Sequence, residues 1–116
     1  MITIDNLRIY GANVDEGVSR CLNDESFYID LVKSCIPDTR IDELEQLIGA
    51  GELDKAFEVA HALKGMYGNI SITPIYEPIS RITELLRNRE KVDYSELLNA
   101  AKTQKARLVE MHSART

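Results

Sequence analysis

Apolar residues recur at intervals of three and four along most of this chain, and that spacing restricts what it can fold into. An α-helix turns once every 3.6 residues, so side chains spaced in this way lie on one face of a helix. Signals for strands, which would require alternating apolar and polar residues, are weak throughout. We therefore predict an all-α fold: an antiparallel four-helix bundle with short connections and short additional N-terminal helices.

Turn and capping residues divide the chain into helical segments. Gly11 ends the first segment, Asn23-Asp24 provides a cap for the third, and Gly49 and Gly51 supply the break after the fourth. Pro37 interrupts the apolar pattern between the third and fourth segments, which leaves open whether this part is one kinked helix or two. The first, second and fifth predicted segments cover 4–10, 14–22 and 53–70. The third places Phe27, Leu31 and Ile36 inward, and the fourth is capped by Asp38 or Thr39. The sixth is capped by Thr73 before Pro74, and the seventh starts at Asp93.

The last two segments carry the clearest apolar stripes. In the sixth, the predicted inward residues are Ile75, Ile79, Ile82 and Leu86, and the run NREK ends the helix. In the seventh, Glu96 stands three residues after Asp93, as in a capping box. Its predicted inward residues are Tyr94, Leu97, Leu98, Ala101, Leu108 and Met111.

The size and charge of the chain narrow the class of protein. Its 116 residues suit a single domain covering 1–116. The net charge is −5 and the pI about 5.0, so the surface repels nucleic acid and anionic membranes, and we expect a protein partner. There is no apolar run long enough to span a membrane and no signal-peptide pattern. We predict a cytoplasmic monomer in which Cys21 and Cys35 are reduced thiols.

One of the two histidines, His61, lies in the stretch AHALKGMYGN of the fifth predicted helix. On a helical wheel, the side opposite His61 carries Val59, Leu63, Met66 and Ile70, flanked by Ala56, Ala60 and Tyr67. The wheel therefore predicts that His61 faces away from the core. The residues on its own side are Asp54, Phe57, Glu58, Lys64, Gly65 and Gly68. Of these, Asp54, Phe57, Glu58 and Gly68 are the predicted partner-binding residues.

Gly65 and Gly68 allow two interpretations. They cap a helix that ends at Lys64, or they lie within a helix whose apolar pattern continues to Ile70. Within a helix, each glycine costs about 1 kcal/mol relative to alanine. Two glycines beside His61 would then indicate that another molecule must approach closely there.

Two other interpretations of His61 have little support. Glu58 and His61 form a Glu-x-x-His pair like those of di-iron bundles, but such sites need a second inward-facing pair. His112, the other histidine, has Val109 in place of a glutamate three residues before it. No nucleophile elbow and no Ser or Cys partner indicates a hydrolase. We therefore expect neither a metal site nor hydrolase activity.

An exposed imidazole beside an ammonium group suits phosphoryl transfer. The pKa of free histidine is ~6.5, so such a ring is largely neutral at pH 7 and can act as a nucleophile. Lys64, one turn after His61, can partly compensate the negative charge of a phosphoryl group. At an exposed site this compensation is worth only about 1 kcal/mol.

The sequence His61-Ala62-Leu63-Lys64-Gly65, continued by Gly68-Asn69-Ile70, closely resembles the motif of histidine-containing phosphotransfer (HPt) domains. The family pattern is His-x-Leu-Lys-Gly, followed by small residues and by Asn with an apolar neighbour. Residues 11–28 and 72–87 resemble the family's segments before the long helix and after the phosphoacceptor, so the resemblance covers essentially the whole chain. Met66-Tyr67 is bulkier than the usual pair, and Pro78 stands where a helix former is usual.

The resemblance implies that His61 accepts the phosphoryl group on the ring nitrogen farther from the backbone, that Lys64 compensates charge and that Gly65 provides access. It implies a relay between a sensor histidine kinase and the aspartates of response-regulator receiver domains, not an autonomous kinase. The receiver would supply the Asp and Mg²⁺, so no cofactor is expected here. Two alternatives stay open: the phosphotransfer domain of a larger histidine kinase, and a non-enzymatic helical adaptor.

Overall fold

The structure, a computed structural model, describes residues 1–114, which form seven helices and no strand. The all-α prediction is therefore confirmed. Within the described residues, no helix has both the length and the apolar character needed to cross a membrane. The helices are α1 Ile4–Tyr10, α2 Val14–Arg20, α3 Glu25–Ser34, α4 Arg40–Gly49, α5 Leu53–Asn69, α6 Thr73–Arg87 and α7 Ser95–Ser113.

Helices α4 to α7 enclose the main core, because α4 and α6 each pack against both α5 and α7. The predicted stripe of α6 is confirmed, since Ile75, Ile79, Ile82 and Leu86 are all fully buried. Their spacing of four, three and four residues places them in one continuous apolar ridge along the helix. On α7 the buried residues are Leu98, Ala101 and Leu108, preceded by Tyr94, whereas Leu97 and Met111 are half-buried.

The N-terminal helices pack on the turn between α5 and α6. The Asp24 carboxylate accepts a hydrogen bond from the backbone N–H of Phe27, so the predicted cap of α3 is confirmed. The backbone N–H of Asn13 donates to the Ser71 carbonyl at 3.0 Å. The Tyr28 hydroxyl donates to the Ile70 carbonyl at 2.8 Å. These bonds hold α2 and α3 beside the C-terminal end of α5.

The segment around Pro37 separates two helices, which answers the question that the sequence left open. α3 ends at Ser34 and α4 begins at Arg40. The Asp38 carboxylate accepts a hydrogen bond from the Arg40 backbone N–H at 2.8 Å and pairs with the Arg40 guanidinium. Lys105 of α7 donates to the Asp38 carbonyl at 2.7 Å. Asp38 therefore supports the start of α4, while Thr39 makes no side-chain cap.

Several predicted helix ends differ from the structure. α2 stops at Arg20 and not at 22, because Leu22 and Asn23 adopt positive φ angles that no α-helix contains. Ile72, not Thr73, occupies the N-cap position of α6. α7 begins at Ser95 because the Asp93 carboxylate accepts a hydrogen bond from the Ser95 N–H, which places the turn two residues later than predicted.

Phe27 is 51% exposed, although the sequence predicts that it faces inward. The adjacent Tyr28 is fully buried instead, and Val32 and Cys35 continue its face. The cause is Gly17 on α2, where a Cβ atom would overlap the Tyr28 ring. Because α2 leaves this space empty, the tyrosine ring occupies the inner position and Phe27 turns outward.

Cys21 and Cys35 are both buried free thiols, as predicted. Burial raises the pKa of Cys35 to about 11. Because the thiolate is the reactive form of cysteine, this residue contributes packing and not chemistry at neutral pH.

We predict that Gly17→Ala destabilises the protein by roughly 1–3 kcal/mol, the usual cost of overfilling a packed core. The added methyl group would collide with the buried Tyr28 ring. Gly49→Ala is the matched control, because its Cβ meets no atom within 4 Å and alanine favours a helix more than glycine does. Urea unfolding of both variants measures the difference, and equal stabilities would contradict this account of Gly17.

Candidate functional site

His61 lies on the solvent side of α5, as the helical wheel predicts. The fully buried residues of this helix are Ala56, Ala60, Leu63 and Tyr67, whereas His61 is exposed. Val59 and Met66, predicted at the centre of the buried side, are only half-buried. The buried face is therefore rotated towards Ala60 and Tyr67, and the imidazole still lies outside the core.

The His61 ring stacks on the Phe57 ring one turn earlier in α5. The ring centroids are 5.7 Å apart and the planes differ by 18°. The guanidinium carbons of Arg87 and Arg89 lie 5.1 Å and 4.9 Å from the Phe57 centroid. Arg89 also pairs with Asp54, at the start of α5. Two cations from the end of α6 therefore lie next to the aromatic pair that contains His61.

Lys64 is held on the same side by a residue of α6. Its ammonium group contacts Glu84 at 3.1 Å, and Arg87 contacts the other oxygen of that carboxylate at 3.3 Å. Hydrogen bonds from Lys64 and Arg87 lower the pKa of Glu84, so its carboxylate is charged at neutral pH. The side chains of Lys64 and Glu84 are 27% and 54% exposed, so solvent screens this pair and Lys64 can exchange partners at little cost.

Gly65 and Gly68 lie inside α5, which continues to Asn69. The interpretation in which they cap a helix ending at Lys64 is therefore wrong. The two glycines differ in their surroundings. A Cβ on Gly65 would meet no atom within 4 Å, whereas one on Gly68 would lie 2.9 Å from Cε1 of Tyr76 on α6. A side chain on Gly68 would thus press on the Tyr76 ring, whereas Gly65 leaves open space beside His61.

A groove of about 550 Å³ adjoins His61. Lys64, Gly65 and Gly68 line it from α5, and Arg20 lines it from α2. The Arg20 guanidinium donates to the Gly68 carbonyl at 2.7 Å and also pairs with Glu16. The N-terminal helices therefore form one wall of the space next to the imidazole.

The predicted partner-binding residues fall into two groups in the structure. Glu58 is exposed to solvent. Asp54, Phe57 and Gly68 have partners within the chain, in Arg89, His61 and Tyr76 respectively. Within residues 1–114, no three His, Cys, Asp or Glu side chains are grouped so that they could hold a metal ion. His112 lies in the last turn of α7.

Sequence reasoning missed four charged residues of this site: Arg20, Glu84, Arg87 and Arg89. The run NREK correctly indicates where α6 ends, because that helix stops at Arg87. Nothing in the sequence shows that Arg87 and Arg89 meet α5, since the periodicity of one helix does not specify its register on another. Glu16 and Arg20 have the spacing of a helical ion pair. That spacing was the only sequence signal that pointed to Arg20, which lines the groove beside His61 from α2.

Comparison with known proteins supports the motif. The chain matches the family model described as the Hpt domain over residues 38–114. This range is more than half of the chain and contains the helices α4 to α7 with His61, Lys64 and Gly65. No curated protein and no solved structure matches the chain. The chain belongs to the Hpt domain family.

Proposed function

We propose that this protein is a phosphorelay intermediate that accepts and donates a phosphoryl group on His61. It passes the group between a sensor histidine kinase and the aspartates of response-regulator receiver domains. The observation that carries the proposal is the exposed imidazole of His61, within the matched family region, with Lys64 and open space at Gly65 on the same helix. Membership in the Hpt family implies phosphotransfer, and the geometry supports His61 as the acceptor.

The transfer itself is a nucleophilic substitution at phosphorus. A ring nitrogen of His61 attacks the phosphorus of the receiver's aspartyl phosphate, an N–P bond forms, and the P–O bond to aspartate breaks. The aspartate carboxylate leaves with the bonding electron pair, and the reverse reaction returns the group. Mg²⁺ in the receiver offsets charge on the phosphoryl oxygens, and we propose that this chain itself needs no cofactor.

Lys64 provides the nearest charge compensation that the motif contains. In the unphosphorylated protein it pairs with Glu84, and this exposed pair contributes about 1 kcal/mol or less. A phosphoryl group on His61 carries up to two negative charges and competes with the single charge of Glu84. Lys64 can therefore turn from the carboxylate to the phosphoryl group without a change in the fold.

Access for the partner comes from Gly65, where none of the side chains among residues 1–114 fills the space that a side chain on this glycine would take. Glu58, exposed one turn before His61, is a further contact for the receiver surface. Asp54, Phe57 and Gly68 contribute less directly, since each already contacts another residue of the chain. We propose that the protein performs this relay as a cytoplasmic monomer.

We also propose that α4 to α7 run antiparallel. Support comes from the contacts between α5 and α6. Gly68 neighbours Tyr76, Lys64 pairs with Glu84, and Asp54 pairs with Arg89. Residue numbers fall along α5 as they rise along α6, which is the order that oppositely directed helices produce. The connections 50–52, 70–72 and 88–94 are short enough for antiparallel neighbours throughout.

The first functional prediction concerns the acceptor. Incubation with phosphorylated receiver domains from the same organism should transfer label to the wild-type chain, and His61→Gln should abolish it. His112→Gln is the matched control and should be labelled normally, because His112 lies at the end of α7 away from the motif. His61 is exposed, so its replacement should change stability by no more than about 0.5 kcal/mol. Label that persists in His61→Gln would exclude His61 as the acceptor, and a wild-type chain that takes up none would favour an adaptor.

The second prediction concerns Lys64. Lys64→Ala should slow transfer to about one fifth, which corresponds to the ~1 kcal/mol expected for an exposed charge. Lys64→Glu should slow it further, because a like charge then faces the phosphoryl group. Lys55→Glu makes the same change of charge at another exposed position of α5 and should have little effect. If both glutamate variants behave alike, Lys64 acts through overall charge and not through its position.

The third prediction concerns Gly65. Gly65→Ala should stabilise the protein by up to ~1 kcal/mol, because the site is open and alanine favours a helix. Gly65→Gln should leave the melting temperature nearly unchanged and slow transfer from a receiver strongly, because its side chain occupies the approach to His61. Gly68→Ala should bring no such gain in stability, since its methyl group meets Tyr76. Rapid transfer by Gly65→Gln would mean that access at this position does not matter.

A further inference from the structure

The end of α6 has a backbone conformation that glycine would adopt most easily, yet it contains Arg89. The φ angle of Arg89 is +52°. Its N–H donates to the Leu86 carbonyl at 2.9 Å, and the N–H of Glu90 donates to the Leu85 carbonyl at 3.1 Å. This pair of bonds is the Schellman arrangement, in which the left-handed residue after a helix is usually glycine. A side chain at this position therefore needs compensating contacts.

The Arg89 side chain supplies four such contacts, and two of them are to α5. Its guanidinium donates to the Leu86 carbonyl at 2.6 Å and to the Arg87 carbonyl at 3.2 Å, both at the end of α6. Its Nε pairs with Asp54, and its guanidinium carbon lies 4.9 Å from the Phe57 centroid. Phe57 in turn stacks on His61. A continuous set of contacts thus leads from the strained residue to the imidazole.

We propose that Arg89 and Phe57 are positioning residues for phosphoryl transfer at His61. Arg89 holds the Phe57 ring from the end of α6, and Phe57 holds the imidazole by stacking on its face. This inference rests on the proposed function, in which His61 accepts the phosphoryl group. It adds to that function two residues outside the His-x-Leu-Lys-Gly motif and a role for the end of α6.

Stacking can orient the imidazole of His61 without blocking the nitrogen lone pair that attacks phosphorus. The lone pair of a neutral imidazole nitrogen lies in the plane of the ring, so a neighbour on the face restricts the ring without covering the nitrogen. A hydrogen bond to a nitrogen would fix the ring but would occupy one of its two edges. An exposed histidine without the stack would sample several rotamers, and only some of them would present the nitrogen to an incoming phosphorus.

The guanidinium groups also favour the product. Phosphorylation adds negative charge to His61, and the adjoining network contains the cations Lys64, Arg87 and Arg89 against the carboxylates Asp54 and Glu84. These three cations lie close to the acceptor in a chain whose net charge is −5, although Glu58 adds a third carboxylate on the same side of α5. Arg87 and Arg89 are near His61 because their guanidinium groups pack against the ring of Phe57, which stacks on the imidazole.

The test uses a donor that requires no docking surface. Phosphoramidate phosphorylates imidazole directly: a ring nitrogen of His61 attacks phosphorus, the P–N bond breaks, and ammonia leaves with the electron pair. The variants are Arg89→Gly, which relieves the backbone and removes the guanidinium, and Phe57→Leu, which keeps an apolar side chain and removes the ring. The measurements are the initial rate of phosphorylation, the melting temperature and the NMR resonances of the His61 ring protons.

We expect Arg89→Gly and Phe57→Leu to slow phosphorylation about two- to tenfold, the range that corresponds to the loss of one aromatic contact. The His61 ring protons should lose the shift caused by the Phe57 ring current in Phe57→Leu, and part of it in Arg89→Gly. Phe57→Tyr keeps the ring and should recover most of the lost rate. Arg89→Gly should melt at the wild-type temperature or above, because glycine suits its φ angle.

Leu22→Gly is the matched control for the backbone. Leu22 also has a positive φ, +57°, and its side chain is 91% exposed. This variant relieves a similar strain without removing a contact to Phe57, so it should change neither the rate nor the His61 resonances. If Leu22→Gly slows phosphorylation as much as Arg89→Gly does, the effect is one of general flexibility and the positioning role is wrong.

Two further outcomes separate this inference from the proposed function. If Arg89→Gly and Phe57→Leu react with phosphoramidate at the wild-type rate, the positioning role is overturned, while transfer from receivers to His61 can still occur. If the wild-type chain reacts with phosphoramidate faster than both variants but takes no label from any receiver, the positioning role stands and the relay function fails.

Discussion

The packing of α6 on α5 is the constraint on which the site depends. α6 buries an apolar ridge that runs from Ile75 to Leu86, and α5 buries the small residues Ala56 and Ala60. The opposite face of α5, which carries His61, is exposed to solvent. Small side chains on one helix allow the other to approach closely, so the register of the pair is set by shape. That register decides which charged residues of α6 lie next to His61. The ionic contacts around His61 are therefore a consequence of apolar packing.

The glycines of the chain illustrate how different physical needs select the same residue. Gly17 and Gly68 leave room for the rings of Tyr28 and Tyr76, so both are packing requirements. Gly65 has open space around it and offers the fold nothing that alanine would not offer better. A residue that lowers helix stability and improves no packing contact is expected where a partner molecule must approach the protein closely. The cost of about 1 kcal/mol is small beside the apolar burial of α5.

The charged contacts around His61 are exposed, and this exposure suits a relay. The pairs Lys64–Glu84 and Arg87–Glu84 are partly solvated and hence weak. Weak pairs can rearrange at little cost, as the proposed acceptance and donation of a phosphoryl group on His61 would require. The aromatic stack of Phe57 and His61 is less sensitive to charge and can persist in both states. The site thus combines a stable orientation of the ring with adjustable electrostatics.

The sequence by itself determined the helical class, the outward direction of His61 and the inward stripe of α6, because each follows from periodicity within a single helix. It also indicated the motif that joins His61, Lys64 and Gly65, since these residues lie within two turns of each other. Only the tertiary structure decided that Tyr28 and not Phe27 enters the core, because the choice depends on the space at Gly17 of another helix. The same holds for Glu84, Arg87 and Arg89, which lie near His61 because of the register of α6 on α5. Contacts between helices depend on how their surfaces fit together, and a pattern read along one helix does not contain that information.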